Sequence, residues 1–516
     1  MQETIDDFRD RLNRLTEVGI AISAELNLDV LLEKIVHHAR ELTRADAGTL
    51  YLLQDGALHF KIVQNATLGV YEGGTDRYIN LPPVALDKAN VSAYVALTRT
   101  TVNVPDVYAS EQFDFTGPRK YDARTGYRSK SMLVTPMVGH AGELIGVLQL
   151  MNATDPATGE IGAFPDGMVD LTRALASQAA VAIANASLVE ETKALFESLI
   201  RVLAVAIDAK SRYTGNHVQR VAEFTMWIAR AINDTKEGRF AGFTFTADEL
   251  EELRLAGWLH DVGKVTTPVW VMDKSTKLET IIDRIEMVKL RYELFRRMAE
   301  LKAAQAKLAF AGTAAGPAAA AIDQELAADL KRMDEEIKFI ADCNKPGEFM
   351  DDGKLKRIEE VAKRLCACGE VSQPAITSNE KYNLSIRKGS LTSEELGLMR
   401  DHVVWSKRML DEVPFKRSLQ NVPLYAGQHH EKLDGSGYPN GLKGDQIPIQ
   451  SRIVAIADFY EALSAKDRPY KPAMPVEKIF AILKSAADKG EIDKDILDLI
   501  TRDKVHEKFE AAYDAV

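Results

Sequence analysis

Cysteine is scarce in this chain of 516 residues: Cys343, Cys366 and Cys368 are the only three. That excludes a disulfide framework, and the Cys-Ala-Cys pair has no nearby partners that would make it a metal knot, so these read as reduced thiols. Positive charge is also short, with 65 Lys and Arg against 76 Asp and Glu and a net charge of −11. Such a surface has no general attraction for a nucleic acid polymer or an anionic membrane, so a phosphate-bearing ligand must be met by a local group of cations. No apolar run approaches the ~20 residues of a membrane span. The charged opening MQETIDDFRDRLNRL lacks the apolar stretch of a signal peptide. Together these absences imply a cytoplasmic protein. What remains is a folded-protein composition, 46% hydrophobic and 27% charged, too long for one core and sized for roughly two to four domains.

Residues 1–45 predict helix, with Leu12, Leu15, Ile20, Leu31, Leu32 and Ile35 near a 3.6-residue period. Strand-like runs follow: GTLYLLQD, LHFKIVQN, SMLVTPMVG and LIGVLQLMN. The last two are joined by HAGE, whose Gly142 suits a hairpin. Helix flanking strands makes the first third an α+β domain. From Phe164 onward a long helical stretch has no proline and no glycine between Gly167 and Gly215. Its apolar stripe (Leu171, Leu175, Ile183, Leu195, Leu199, Val202) serves either a helix packed on its own domain or one paired with a second copy. Beyond about residue 195 the strand signals fade and the chain reads as all helical. Within it, residues 275–342 form two charged, alanine-rich helical runs around the break GTAAGP, a helical hairpin whose charges read as a solvated face.

Five places in the helical part hold residues a metal wants: RYTGNHVQRV with His217, WLHDVGK with His260, Asp261 and Lys264, MRDHVVW with His402, HHEKLDGSGYPNGLKGDQIP with His429 and His430, and RIVAIADFYEAL with Asp458. Imidazole with carboxylate suits iron, manganese, zinc or related divalent ions. Two such ions sharing a carboxylate would stabilise both the attacking and the leaving oxygen in phosphoryl transfer. Taken singly, His402 reads as a structural histidine and Lys264 as a surface lysine. Asp458 differs, because a carboxylate inside an apolar run needs a partner.

HDVGK, the distant HHEKLDGSGYP with GLKGDQIP, RIVAIAD and DRPY together resemble the HD-GYP subgroup of HD-domain metallophosphohydrolases, over roughly residues 200–485. The resemblance implies an all-helical domain that carries two or three non-haem metals, usually iron or manganese, and hydrolyses cyclic dinucleotides such as cyclic di-GMP. It assigns one ion to His217, His260 and Asp458 and a second to His402, His429 and His430, with Asp261 bridging and with Asp261 and Lys264 as catalytic residues. Lys264 would meet a phosphate, and Gly437, Tyr438 and Pro439 would form a loop over the substrate. Arg468 and Lys471 would supply local positive charge. Members with a third metal place a glutamate four residues before the first metal histidine; here that position is Tyr213, which implies two metals, while Glu461 offers an outer carboxylate one turn after Asp458. The insertion at 275–385, with its DKSTKLETIIDRIE stretch, is longer than in compact members; dimer contact, lid and spacer all stay open.

NVPDVY, TGYRSKSMLVTPM, GELIGVLQLMN and FPDGMVDLTRALASQAAVAIANA resemble a GAF domain, a small-molecule sensor module. Cyclic-nucleotide-binding members carry an Asn-Lys pair and a later Phe followed by an acidic pair. Asn152 and Phe164 are in place, but Ala153, Gly167 and Met168 replace the rest, which leaves the ligand open. No cysteine lies in this region to link a bilin.

The expected architecture is therefore multidomain: an N-terminal helix (1–14), an α+β GAF-like sensor domain (15–187), a connecting helix (170–205) and an all-α HD-GYP domain (200–516) with the inserted hairpin. The expected protein is a homodimeric phosphodiesterase with two divalent ions (Fe or Mn) that cleaves cyclic di-GMP or cyclic GMP-AMP to linear dinucleotide or GMP. Diguanylate cyclases or response regulators are its implied protein partners. Two alternatives are a non-catalytic dinucleotide receptor and an HD-type nucleotidase.

Overall fold

A computed structural model describes residues 5–75, 79–155, 158–210, 216–309, 316–368, 371–465 and 474–513. Tyr213, Arg468 and Lys471 lie outside the described residues. The chain divides into two compact units, Met1–Glu197 and Ser198–Val516.

In the first unit, α1 (Ile5–Ser23) and α2 (Leu28–Thr43) precede an antiparallel sheet. Its strands are β1 (Ala45–Gln54), β2 (Ala57–Asn65), β3 (Val70–Gly73), β4 (Val84–Ala85), β5 (Val102–Val104), β6 (Met132–Val138), β7 (Leu144–Thr154) and β8 (Ile161–Gly162), with α3 (Val91–Thr98) and α4 (Thr116–Thr125) inserted among them. The sheet order is β3-β2-β1-β7-β6-β5, with β4 beside β2 and β8 beside β7. Alternation of side chains sorts its residues onto two faces. Leu50, Leu52, Ile62, Leu133, Leu148 and Leu150 meet α1, α2 and the start of α5 (Asp166–Lys210). Tyr51, Leu58, Met132, Val134 and Val147 meet α3 and the aromatic pair Phe113 and Phe115. Each such buried side chain contributes about 1.5–3 kcal/mol. Asn152 has a structural role here: its amide donates to Tyr127 Oη at 2.9 Å and to Arg128 O at 2.8 Å, and its carbonyl accepts from Lys130 N at 2.7 Å.

Helix α5 runs 45 residues. Its apolar stripe splits. Leu175, Ala179 and Ile183 are buried in the first unit's core, whereas Leu188, Leu195, Leu199 and Val202 stand exposed.

The second unit contains α6 (His217–Asp234), α7 (Ala247–Leu259), the short α8 (Val269–Met272), α9 (Ile285–Leu308), α10 (Gly316–Cys343), α11 (Asp352–Ala362), α12 (Ser378–Leu384), α13 (Ser393–Asp411), α14 (Val422–Ala426), α15 (Ile449–Ser464), α16 (Val476–Asp488), α17 (Lys494–Arg502) and α18 (Val505–Tyr513). Capping boxes start α7 at Thr246 with Glu249, α12 at Thr377 with Glu380, and α13 at Thr392 with Glu395, each satisfying orphan backbone donors at the helix start. One core gathers α6, α15, α16, α17 and α18 around Phe224, Tyr460 and Phe509. A second lies in the insertion, where α9 and α10 pair around Val288, Tyr292, Phe295 and Ile340. The unit is not wholly helical: β9 (Leu365–Cys368) and β10 (Val371–Pro374) form a two-stranded antiparallel sheet. At four residues each, these strands are too short for a two-residue alternation to register in the sequence. Among the described residues no helix is long and apolar enough to cross a membrane.

Candidate metal centre

Five helices deliver the histidines and carboxylates to one point. His217 opens α6, His260 ends α7, and Asp261 begins the 3-10 turn Val262–Thr266. His402 sits within α13, His429 and His430 follow α14, and Asp458 and Glu461 lie one turn apart on α15. The approach of α13 to the HDVGK turn requires Gly263. A Cβ there would lie 1.9 Å from His402 O and 2.5 Å from Ser406 N, and the bare backbone instead donates to Ser406 Oγ at 2.8 Å.

Asp261 lies at the centre, 1% exposed. Its Oδ2 is 3.4 Å from His217 Nε2 and 3.2 Å from His260 Nε2; its Oδ1 is 3.3 Å from His402 Nε2 and 3.9 Å from His429 Nε2. The two oxygens therefore face different histidine pairs. His217 Nε2 also lies 3.4 Å from Asp458 Oδ1, and His430 Nδ1 lies 3.9 Å from Asp458 Oδ2. Potential ligand atoms of His217, His260 and Asp458 fall within 4.8 Å of one another, as do those of His402, His429 and His430.

The far side of each ring explains its aim. His260 Nδ1 bonds Gly257 O at 2.8 Å, His402 Nδ1 bonds Met399 O at 2.5 Å and His429 Nδ1 bonds Ala426 O at 2.6 Å. A ring that donates from Nδ1 to a carbonyl presents a bare Nε2 lone pair. His217 Nδ1 is held by Glu461 in the same manner. The Nε2 atoms of His217, His260, His402 and His429, with Asp261 Oδ1, are buried without a hydrogen-bond partner. Burying so many unsatisfied polar atoms together is costly unless a cation accepts their lone pairs. Nitrogen and carboxylate donors without thiolate fit divalent iron, manganese or zinc.

The electrostatics are those of a buried acid-base cluster. Burial opposes the charge on Asp261, but Lys264 and His260 outweigh it and hold the carboxyl well below its usual range. Burial likewise works against a charged His217, yet Asp261, Asp458 and Glu461 keep its pKa well above the usual value, so a cation that takes its Nε2 lone pair must displace a proton. For His429 burial wins and the pKa is well lowered; burial takes His430 down to about 4. Asp458 is held low, His217 and His430 overcoming the effect of burial. Lys264 Nζ lies 2.5 Å from Asp261 Oδ2.

The glycine-rich loop folds back over this cluster. Glu431, in the same run as His429 and His430, accepts from Asn440 N at 2.7 Å and Leu442 N at 2.9 Å. Gly437 permits the return, since a Cβ would lie 2.3 Å from Lys432 N. Tyr438, joined to Pro439 by a cis peptide bond, places its ring 4.9 Å from that of His430. The Arg400 guanidinium lies over the Tyr438 ring at 5.2 Å. Arg400 and Glu431 escaped the sequence reading, as did Asp208 at the end of α5, whose carboxyl is raised to about 6 by burial despite nearby His217. None has a signal of its own: they are common residue types whose neighbours are set only by the fold.

Comparison with known proteins agrees with this organisation. Residues 27–183 match the GAF domain model, and two HD domain models match residues 214–341 and 326–496. The chain is 42% identical over 98 residues to a 3′3′-cGAMP-specific phosphodiesterase of Vibrio cholerae, covering 19% of this chain and 20% of that protein. It is 32% identical over 199 residues to a probable cyclic di-GMP phosphodiesterase of the same organism, covering 38% and 43%. Against a cyclic di-GMP phosphodiesterase of Thermotoga maritima it is 36% identical over 135 residues, covering 23% and 34%. The chain thus spans less than half the length of each of these relatives. It is similar to a GAF domain in its first third and to HD domains beyond it, and these relatives are named as cyclic-dinucleotide phosphodiesterases.

Proposed function

We propose that this chain is a metal-dependent phosphodiesterase that hydrolyses a cyclic dinucleotide, cyclic di-GMP foremost and cyclic GMP-AMP as the alternative, under the control of its GAF domain. The observation that carries this is the convergence of four buried, partnerless Nε2 atoms on the two oxygens of Asp261. The names of the relatives supply the substrate class.

In this proposal His217, His260 and Asp458 hold one divalent ion and His402, His429 and His430 a second, with Asp261 shared between them; iron or manganese suits the donors. Two ions so held supply the Lewis acidity that makes water nucleophilic near neutral pH and offsets phosphate charge. The chain's own residues do the rest. Glu461 and the carbonyls of Gly257, Met399 and Ala426 fix the imidazole tautomers. Lys264 stands beside Asp261 with a charge it can turn toward a non-bridging phosphate oxygen. Gly437, Tyr438 and Pro439 frame the substrate, with the Tyr438 ring and Arg400 offering a stacking surface to a base. Arg468 and Lys471 are proposed as cations for the second phosphate. The exposed half of α5 is proposed to pair with α5 of a second copy and so to connect sensor and enzyme in a homodimer.

The test is a panel of phosphoesters followed by chromatography: cyclic di-GMP, cyclic GMP-AMP, linear dinucleotides and mononucleotides. Turnover of a cyclic dinucleotide, with mononucleotides untouched, is expected. Turnover of mononucleotides alone means a nucleotidase. Tight dinucleotide binding without cleavage by metal-loaded protein means a receptor.

A further inference from the structure

Helix α9 carries a surface that the proposed activity does not use. One face, with Ile285, Val288, Tyr292 and Phe295, is buried in the insertion's core with α10. The opposite face repeats every seven residues: Met287, Leu294, Leu301 and Leu308, with Leu290, Arg297 and Ala304 between them. These are not covered. Met287 is 50% exposed, Leu290 65%, Leu294 45%, Leu301 50% and Leu308 71%. A helix with one solvated face places polar residues there; a sustained seven-residue apolar repeat is the pattern of one helix paired with another. Arg297, in the middle of the seam, is tied along its own helix to Glu293 and Glu300 at 2.7 and 2.9 Å.

We propose that this face of α9 pairs antiparallel with α9 of a second copy of the chain. Arg297 sets the direction. In a parallel pair every seam residue meets itself, so two Arg297 guanidiniums would be pressed together at the centre. An antiparallel pair lets the aliphatic stem of Arg297 lie over Leu294 of the second copy. The same register sets Leu290 against Leu301 and Met287 against Ala304, so each long apolar side chain has a partner. Flanking charge works both ways: Glu286 near one end of α9 comes alongside Lys307 near the other end of the second helix, twice by symmetry, while Glu293 comes alongside Glu300, both held by Arg297. Leu308 then falls beside Ile281 and Ile282, which are 93% and 59% exposed and precede the helix. A second copy therefore covers the whole line of exposed apolar residues. Pairing through α9 is independent of the metal site and of the substrate.

The test is cysteine cross-linking in the full chain, with Cys366→Ser and Cys368→Ser as background. Leu290→Cys/Leu301→Cys places thiols opposite one another in the antiparallel register, whereas either single variant leaves them about 16 Å apart along the helix axis. Under mild oxidation the double variant is expected to form covalent dimer at least tenfold faster than either single variant. Leu290 and Leu301 are exposed, and an unchanged circular dichroism melt verifies the fold. If Met287→Cys alone, whose two copies lie about 25 Å apart along the axis in the antiparallel register, cross-links as fast as the double variant, the helices are parallel and the proposal is wrong. If the double variant reacts no faster than Lys331→Cys, an exposed position on α10, this face does not pair at all and the proposal is equally overturned.

Discussion

Asp261 has more demanded of it than any other residue of the centre, because each of its oxygens faces a different histidine pair. Asp261→Ala is expected to lose both ions together and to lower turnover at least 10³-fold, about 4 kcal/mol at the barrier; metal content of the purified variant checks the first claim and initial rates the second. Gly263→Ala tests the architecture that brings His402 in. Its Cβ would meet the α13 backbone, so α13 must shift. A loss of about 1–3 kcal/mol in urea denaturation is expected, with weakened metal binding. At this scale the sequence was most informative where a residue type has few other reasons to be present. Adjacent histidines, His-Asp and an aspartate in an apolar run each needed an explanation, and the structure brings these five together with His217 and His402. Arg400, Glu431 and Asp208 gave no warning, because stacking on Tyr438, folding a loop and lying near His217 are facts of long-range geometry. Tyr213, Arg468 and Lys471 lie outside the described residues.

At the scale of elements, period and length decided what could be read. The hairpin strands β6 and β7 and the strands β1 and β2 follow from apolar runs bounded by turn residues, and α5 follows from a long stretch without helix breakers. Which half of α5 would be buried was not legible, since a stripe looks the same whether its partner lies in the same chain or in another. The same ambiguity concealed the seam on α9 beneath a run of charges. The β9–β10 pair was missed because it is too short. The insertion also gives a pH prediction. Arg291 holds Glu380 by bonds of 2.8 and 3.2 Å. Burial alone would raise this carboxyl, but Arg291 and Thr377 outweigh it and the pKa is lowered from 4.5. A carboxyl with a folded pKa below its unfolded value stabilises the fold above the unfolded pKa, and that contribution disappears as pH falls through the folded one. Thermal stability of the second unit is therefore expected to fall from about pH 4.5 downward, less steeply in Glu380→Gln; melting curves between pH 3 and 7 compare the two.

At the scale of the whole molecule, the chain joins a GAF domain to an HD domain, and α5 is continuous across the boundary between the two units. The exposed positions Leu188, Leu195 and Val202 on α5 recur every seven residues. If they form a parallel pair, each meets itself, and Leu195→Cys alone is expected to cross-link to its own copy, with Glu190→Cys on the same helix as the slow control. A rate no higher than the control contradicts this pairing. The central claim is that the buried histidine and carboxylate cluster holds two ions that serve phosphodiester hydrolysis. The most direct test uses protein purified without air, with its metals counted by elemental analysis and cyclic di-GMP and cyclic GMP-AMP hydrolysis followed on the same sample. About two iron or manganese ions per chain with turnover of either dinucleotide is the expected result. A protein that turns over dinucleotide with no bound metal, or that holds two ions and cleaves neither substrate, contradicts the account.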